Sequence, residues 1–141
     1  MLDWSKSFET YLNLSENQRL GIGRKSFAIL IREMENLVDE EFMRPTLLLM
    51  SVAPFISLRE DAVDNEFKFV KDVFGLNVEL ERFKEIVTDS KGEKFPEFVQ
   101  VYFQKVGGEV LTALLSLALA LLTIKGNIED NEKELIAKVH G

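Results

Sequence analysis

"VLTALLSLALALLTI", Val110 to Ile124, runs for fifteen residues without a charged side chain. As a helix it would be about 22 Å long, short of the ~30 Å hydrocarbon core of a bilayer. Thr112, Ser116 and Thr123 interrupt it, and Glu109 and Lys125 close its ends. It therefore reads as the central helix of a folded protein, apolar on all sides because other helices surround it, and not as a transmembrane segment.

The rest of the chain must supply those surrounding helices, and it follows the 3.6-residue period with no runs alternating in steps of two. Ser15-Glu16-Asn17-Gln18 has the spacing of a capping box and predicts a helix start. Gly21 and Gly23 are expected to bend or break that helix. Phe27, Leu30, Ile31, Met34, Leu37, Val38 and Phe42 then mark one apolar stripe as far as Pro45, a stop signal. From Thr46 the chain is apolar to Leu58, with Pro54 ending or kinking the helix. An amphipathic helix from Asp64 to Phe74 is closed by Gly75, and Asn77 can cap the next, with Leu80, Phe83, Ile86 and Val87 inward. "DSKGEK", from Asp89 to Lys94, reads as a polar loop. Pro96 suits the first turn of a helix carrying Phe95, Phe98, Val99, Tyr102 and Phe103, which Gly107-Gly108 ends. The expected fold is all-α, about seven helices in one domain spanning residues 1–141.

The chain also repeats itself. Shifted by 66 places, Thr46–Gly75 lies on Thr112–Gly141 without a gap, and eight of thirty positions are identical. Among these are Asp64/Asp130, Asn65/Asn131, Glu66/Glu132 and Gly75/Gly141. Each copy reads as buried helix, acidic loop, amphipathic helix and terminal glycine. Two copies are too few for a solenoid, so a pseudo-symmetric bundle of two related helix–loop–helix units around the buried apolar helices is expected. Asp64/Glu66 and Asp130/Glu132 are explained by N-capping and the helix dipole.

Composition narrows the function. With 17 basic and 24 acidic side chains the net charge is −7, which repels phosphate backbones and anionic lipid, so nucleic acid is not an expected partner. There is no cysteine, hence no disulfide framework or thiolate metal site. The first residues lack the basic-then-apolar order of an export signal, and a cytoplasmic location is expected.

At the two loops the sequence resembles the TerB-like group, the tellurite-resistance TerB proteins and their relatives. That group carries two helix–loop–helix units with loops of the approximate form Asp-Gly-x-Ile/Val, a short polar turn and Glu. Here the second loop reads Lys125-Gly126-Asn127-Ile128-Glu129-Asp130-Asn131-Glu132 and the first Glu60-Asp61-Ala62-Val63-Asp64-Asn65-Glu66. The first Asp position of the family holds Lys125 in one loop and Glu60 in the other, and Asp61 replaces the Gly. The resemblance implies an all-α fold and a role in metal or toxic-anion stress, phage or antibiotic defence, or membrane-associated signalling complexes, with no established catalytic reaction.

As for sites, Glu60, Asp61, Asp64 and Glu66, with Asn127, Glu129, Asp130 and Glu132, are hard oxygen ligands of the kind Ca²⁺ or Mg²⁺ takes, although neither loop has the EF-hand order. Lys125 in the second loop weakens that reading, and capping accounts for the same residues. "GIGRKS", Gly21 to Ser26, lacks the spacing and preceding strand of a phosphate loop. His140 is the only histidine, and no catalytic residue can be assigned. The aromatic cluster Phe95, Phe98, Tyr102 and Phe103, and Trp4, read first as packing residues and second as a pocket or interface. The expectation is a non-enzymatic domain that binds a protein partner, self-association being one form, with a divalent cation tuning its acidic face. The alternatives are a small metal-dependent enzyme or cation sensor, and a bacteriocin-immunity-like helical protein, against which the repeat counts.

Overall fold

The computed structural model describes residues 4–92 and 95–141. They form eight α-helices: α1 (Trp4–Leu12), α2 (Glu16–Met34), α3 (Arg44–Val52), α4 (Val63–Phe74), α5 (Leu80–Gly92), α6 (Phe95–Val106), α7 (Gly108–Leu122) and α8 (Asp130–His140). Among the described residues there is no strand. The all-α expectation is met.

α7 is the axis of the core. Ala113, Leu114, Leu115 and every residue from Leu117 to Leu122 are buried, and α2 packs along it more extensively than any other element. The window Gly108–Lys125 is long and apolar enough to cross a membrane, yet 56% of it is covered within the protein. The coverage is not complete. Thr112 is exposed and Ser116 half-buried, and both line a groove bordered by Tyr11. The expectation of burial on all sides fails at this hydroxyl-bearing face, where polar groups can face water at no desolvation cost.

α2 begins at the expected capping box: Ser15 Oγ accepts the Gln18 N–H at 3.2 Å, and Gln18 Oε1 accepts the Ser15 N–H at 2.9 Å. It then runs unbroken through Gly21 and Gly23, which were expected to interrupt it. Gly23 has a packing role instead, since a Cβ there would lie 2.7 Å from Phe69 Cζ and 2.9 Å from Val73 Cγ2 on α4. A Cβ at Gly21 would meet nothing within 4 Å. The two glycines should therefore respond oppositely to alanine. Gly21→Ala is expected to stabilise by about 1 kcal/mol through helix propensity, and Gly23→Ala to destabilise by about 1 kcal/mol because overpacking outweighs that gain. Urea unfolding of both variants measures the difference.

The apolar stripe ends sooner than its period implied. α2 stops at Met34, whose carbonyl accepts the N–H groups of both Leu37 and Val38 at 3.0 Å. The turn brings α3 back against α2. Pro45 lies in the first turn of α3 and so starts a helix where a stop was expected. Pro54 falls in a 3-10 turn, Ala53–Phe55, that ends α3 as expected. α5 begins at Leu80, where the Glu79 carbonyl accepts the Phe83 N–H, so Asn77 is not its cap. Its end is also displaced. Asp89 to Gly92 are helical rather than loop, with Ser90 buried and its hydroxyl donating to the Val87 carbonyl at 2.7 Å; Glu93 and Lys94 lie outside the described residues.

α6 is tied down at two points. Tyr102 Oη donates to Glu33 Oε1 on α2 at 2.8 Å, and Gln104 Nε2 donates to the Lys138 and Val139 carbonyls of α8 at 2.8 and 3.1 Å. Burial, and then Glu33, push the Tyr102 phenol up to about 12. Phe103 is fully buried; the side chains of Trp4, Phe95, Phe98 and Val99 lie outside the described residues.

At the 66-residue offset α4 maps onto residues 129–140, one residue longer than α8 at its start and matching its end. Gly75 and Gly141, with φ of 65° and 91°, follow the two helices in the left-handed conformation that glycine adopts without a Cβ clash. The inner helices agree less well, α3 having 9 residues and α7 15.

Candidate functional site

The loops that follow α3 and α7 carry Glu60, Asp61, Asn127 and Glu129, and the first turns of α4 and α8 carry Asp64, Glu66, Asp130 and Glu132. The structure brings the loops together: Arg59 Nη1 donates to Asn127 Oδ1 at 3.2 Å across the two units. Around this contact, cations and carboxylates alternate.

In the first loop the backbone reverses at Leu58, whose φ of 59° is left-handed, an uncommon conformation for a leucine. Glu66 holds the reversal in place. It is 1% exposed; its Oε2 accepts the Ser57 N–H at 3.0 Å and its Oε1 the Ser57 hydroxyl at 2.6 Å. Burial pushes the Glu66 carboxyl up, and the hydrogen bonds from Ser57 oppose that shift without cancelling it. Glu66 thus does more than complement a helix dipole: it fastens the loop onto α4. The N-cap of α4 is Ala62, with no side-chain cap, so Asp64 is the second helical residue and not the cap. Arg59 turns outward and grips Asp61 with two bonds, Nε to Oδ1 and Nη2 to Oδ2, both 2.6 Å. The Arg59 hydrogen bond holds the Asp61 carboxyl below the usual carboxylate range.

In the second loop the partners are exchanged. Lys125, at the position matching Arg59, turns inward and is 2% exposed; its ammonium lies 2.8 Å from Glu132 and donates to the Leu122 carbonyl at 2.9 Å. Glu132 also accepts the Glu129 N–H at 2.9 Å and, with Glu129, forms a capping box at the start of α8. Glu129 is therefore the cap, and Asp130 stands next to it. Thr123, matching Ser57, donates instead to the Leu119 carbonyl at 2.7 Å and accepts from Arg19 Nη1. Arg19 itself bridges α1 and α7, donating to the Tyr11 and Ala120 carbonyls at 3.0 and 2.8 Å. Burial holds its guanidinium below the usual value.

Lys91 completes the cluster from α5. Its ammonium lies 3.4 Å from the Pro54 carbonyl, and partial burial lowers it, against the field of Glu132 and Glu66.

Glu60, Asp61, Asp64, Glu129 and Asp130 are exposed, whereas Glu66 and Glu132 point inward. Among the described residues no three carboxylates or histidines come together as a metal-ligand set. Asp61, Glu66 and Glu132 already have protein donors, while Glu60, Asp64, Glu129 and Asp130 face solvent. A cleft of about 340 Å³ between α2 and α4 is bordered by Glu16, Arg19, Lys68 and Asp72, two charges of each sign. "GIGRKS" lies within α2, with Ser26 buried, and cannot cradle a phosphate.

No family model, curated protein or solved structure matches the chain.

The sequence reading missed the clamp by Glu66, the Lys125–Glu132 pair and the bridge by Arg19. Glu66 had a legible signal. It stands three residues from both Val63 and Phe69 and four from Val70, on the buried stripe of α4. A carboxylate at such a position needs an internal partner. Arg19 carried no comparable signal, because its acceptors, the Tyr11 and Ala120 carbonyls and the Thr123 hydroxyl, are brought together only by the fold.

Proposed function

We propose that the chain is a non-enzymatic TerB-like helical domain, acting in the cytoplasm in tellurite or other toxic-anion stress or in defence, by binding a protein partner. The observation that carries this reading is the joined double loop. Its inward groups are spent within the fold, Ser57 on Glu66 and Lys125 on Glu132, and the outward Arg59 is taken by Asp61. What is left to solvent is a fixed display of carboxylates, Glu60, Asp64, Glu129 and Asp130, on a chain of net charge −7. Such a surface suits recognition by charge complementarity and has no nucleophile–base pair for turnover. The choice of a stress or defence setting rests on the TerB resemblance.

Two measurements test it. Replacing Glu60, Asp64 and Asp130 together by Lys, all exposed, is expected to leave the circular dichroism unchanged while abolishing capture of a partner from the source cell. Loss of the gene is expected to sensitise those cells to tellurite or to phage; unaltered growth under both challenges would remove the stress and defence setting. A cation sensor is the competing outcome, and a thermal shift with millimolar Ca²⁺ or Mg²⁺ would favour it.

A further inference from the structure

The turn between α2 and α3, together with α3 itself, exposes several large apolar side chains. Phe42 is 76% exposed, Met43 45%, Met50 40% and Leu37 38%, all within 14 residues. Scattered exposed apolar residues are ordinary on any protein. Here, however, Met43, half-buried Leu47 and Met50 follow the i, i+4, i+7 spacing that places them along one side of α3, and Phe42 adjoins the top of that stripe. Aromatic and methionine side chains are enriched in binding surfaces because they cover large area and adapt to it.

The display is held in place. Arg44 Nε donates to the Val38 carbonyl at 3.0 Å and its Nη2 to the Asp39 carbonyl at 3.1 Å, and the Glu40 carbonyl accepts the Met43 N–H at 3.1 Å. A segment ordered before binding loses little conformational entropy on docking.

Charge identifies the occupant. Glu35, Asp39, Glu40 and Glu41 are all exposed around this turn, four carboxylates against Arg44 and, in the last turn of α2, Arg32. A second copy joined by a two-fold axis would set these carboxylates against their own images, and an anionic bilayer would be repelled in the same way. We infer that the Phe42–Met50 face docks a basic amphipathic helix of a partner protein, apolar residues on Phe42 and the α3 stripe and Lys or Arg on the surrounding carboxylates. This rests on the reading of the chain as a binding domain, and it adds a surface separate from the loops.

The test uses the whole chain and two synthetic 18-residue helices, one alternating leucine and lysine faces, the other with glutamate in place of lysine. Calorimetry is expected to show binding of the basic helix, weakened by salt, and none of the acidic one. Phe42→Ser with Met43→Ser should reduce that affinity about tenfold, the size of a hot-spot loss, with circular dichroism unchanged because both side chains are exposed. Glu134→Lys, at an exposed position on α8 outside both surfaces, should leave it within about twofold, since a solvated charge away from the contact contributes little. Equal binding of both helices, an unchanged affinity in the Phe42/Met43 variant, or sedimentation showing that this variant loses a self-association present in the parent would each overturn the inference. The loop variants and partner capture report on the proposed function independently, so the two can fail separately.

Discussion

Lys125→Met is expected to lower the free energy of unfolding by about 3 kcal/mol, the lower end of the cost of removing one member of a buried ion pair. The Lys125 side chain is 2% exposed and that of Glu132 13%, with nitrogen and oxygen 2.8 Å apart. Without the ammonium, Glu132 keeps the Glu129 N–H but has lost its compensating charge in a poorly solvated site. The cost comes from the stranded carboxylate and not from the net worth of the pair, and this can be tested directly. Lys125→Met combined with Glu132→Gln removes both charges while preserving the glutamine-type capping box, and should recover stability to within about 1 kcal/mol of the parent. Urea unfolding at pH 7 gives both values. If the double variant is no more stable than Lys125→Met, the pair contributes through its own attraction and the stranded carboxylate is not the source of the loss.

Why the sequence disclosed the helices but not this pair follows from what each depends on. Helices are written in local signals, as at Ser15–Gln18 and at the glycines following α4 and α8. Their ends are decided by packing, which is why α2 stops at Met34 although apolar residues continue the period to Phe42, and why α5 runs on to Gly92. The loops repeat their residue types at positions 57/123, 59/125 and 66/132, yet identical placement does not lead to identical bonding. In one unit the hydroxyl meets the carboxylate and the arginine faces out; in the other the lysine meets the carboxylate and the hydroxyl turns to α7. Residue 60 is Glu where residue 126 is Gly, and Gly126 takes a φ of 90°. The two backbones therefore turn differently before reaching their helices. Sequence similarity made the acidic loops visible as ligand candidates, and only the fold revealed how each inward carboxylate is satisfied.

Glu66→Ala should be nearly as damaging as the lysine variant, about 2 to 3 kcal/mol, because it strips the acceptor from the Ser57 N–H and hydroxyl and leaves the left-handed Leu58 without its clamp. Glu66→Gln separates the hydrogen bonds from the charge. The glutamine oxygen can accept the Ser57 N–H, and the hydroxyl can rotate to accept from the amide, so the loss should be much smaller. The pH dependence carries the sharper expectation. Burial raises the Glu66 carboxyl above its unfolded value, so over the interval between the two the folded chain holds a proton that the unfolded chain has released. Stability contributed by this group is therefore full below the ordinary carboxylate range and declines as pH rises through the folded value. Glutamine has no such titration. Relative to the parent, Glu66→Gln should become progressively less unfavourable between pH 4 and pH 7, and unfolding curves at both ends give the slope. The opposite slope would mean that Lys125 and the Ser57 hydrogen bonds outweigh burial, in which case Glu66 belongs to the ion-paired network as a charged member and the first loop is held by attraction in the same way as the second.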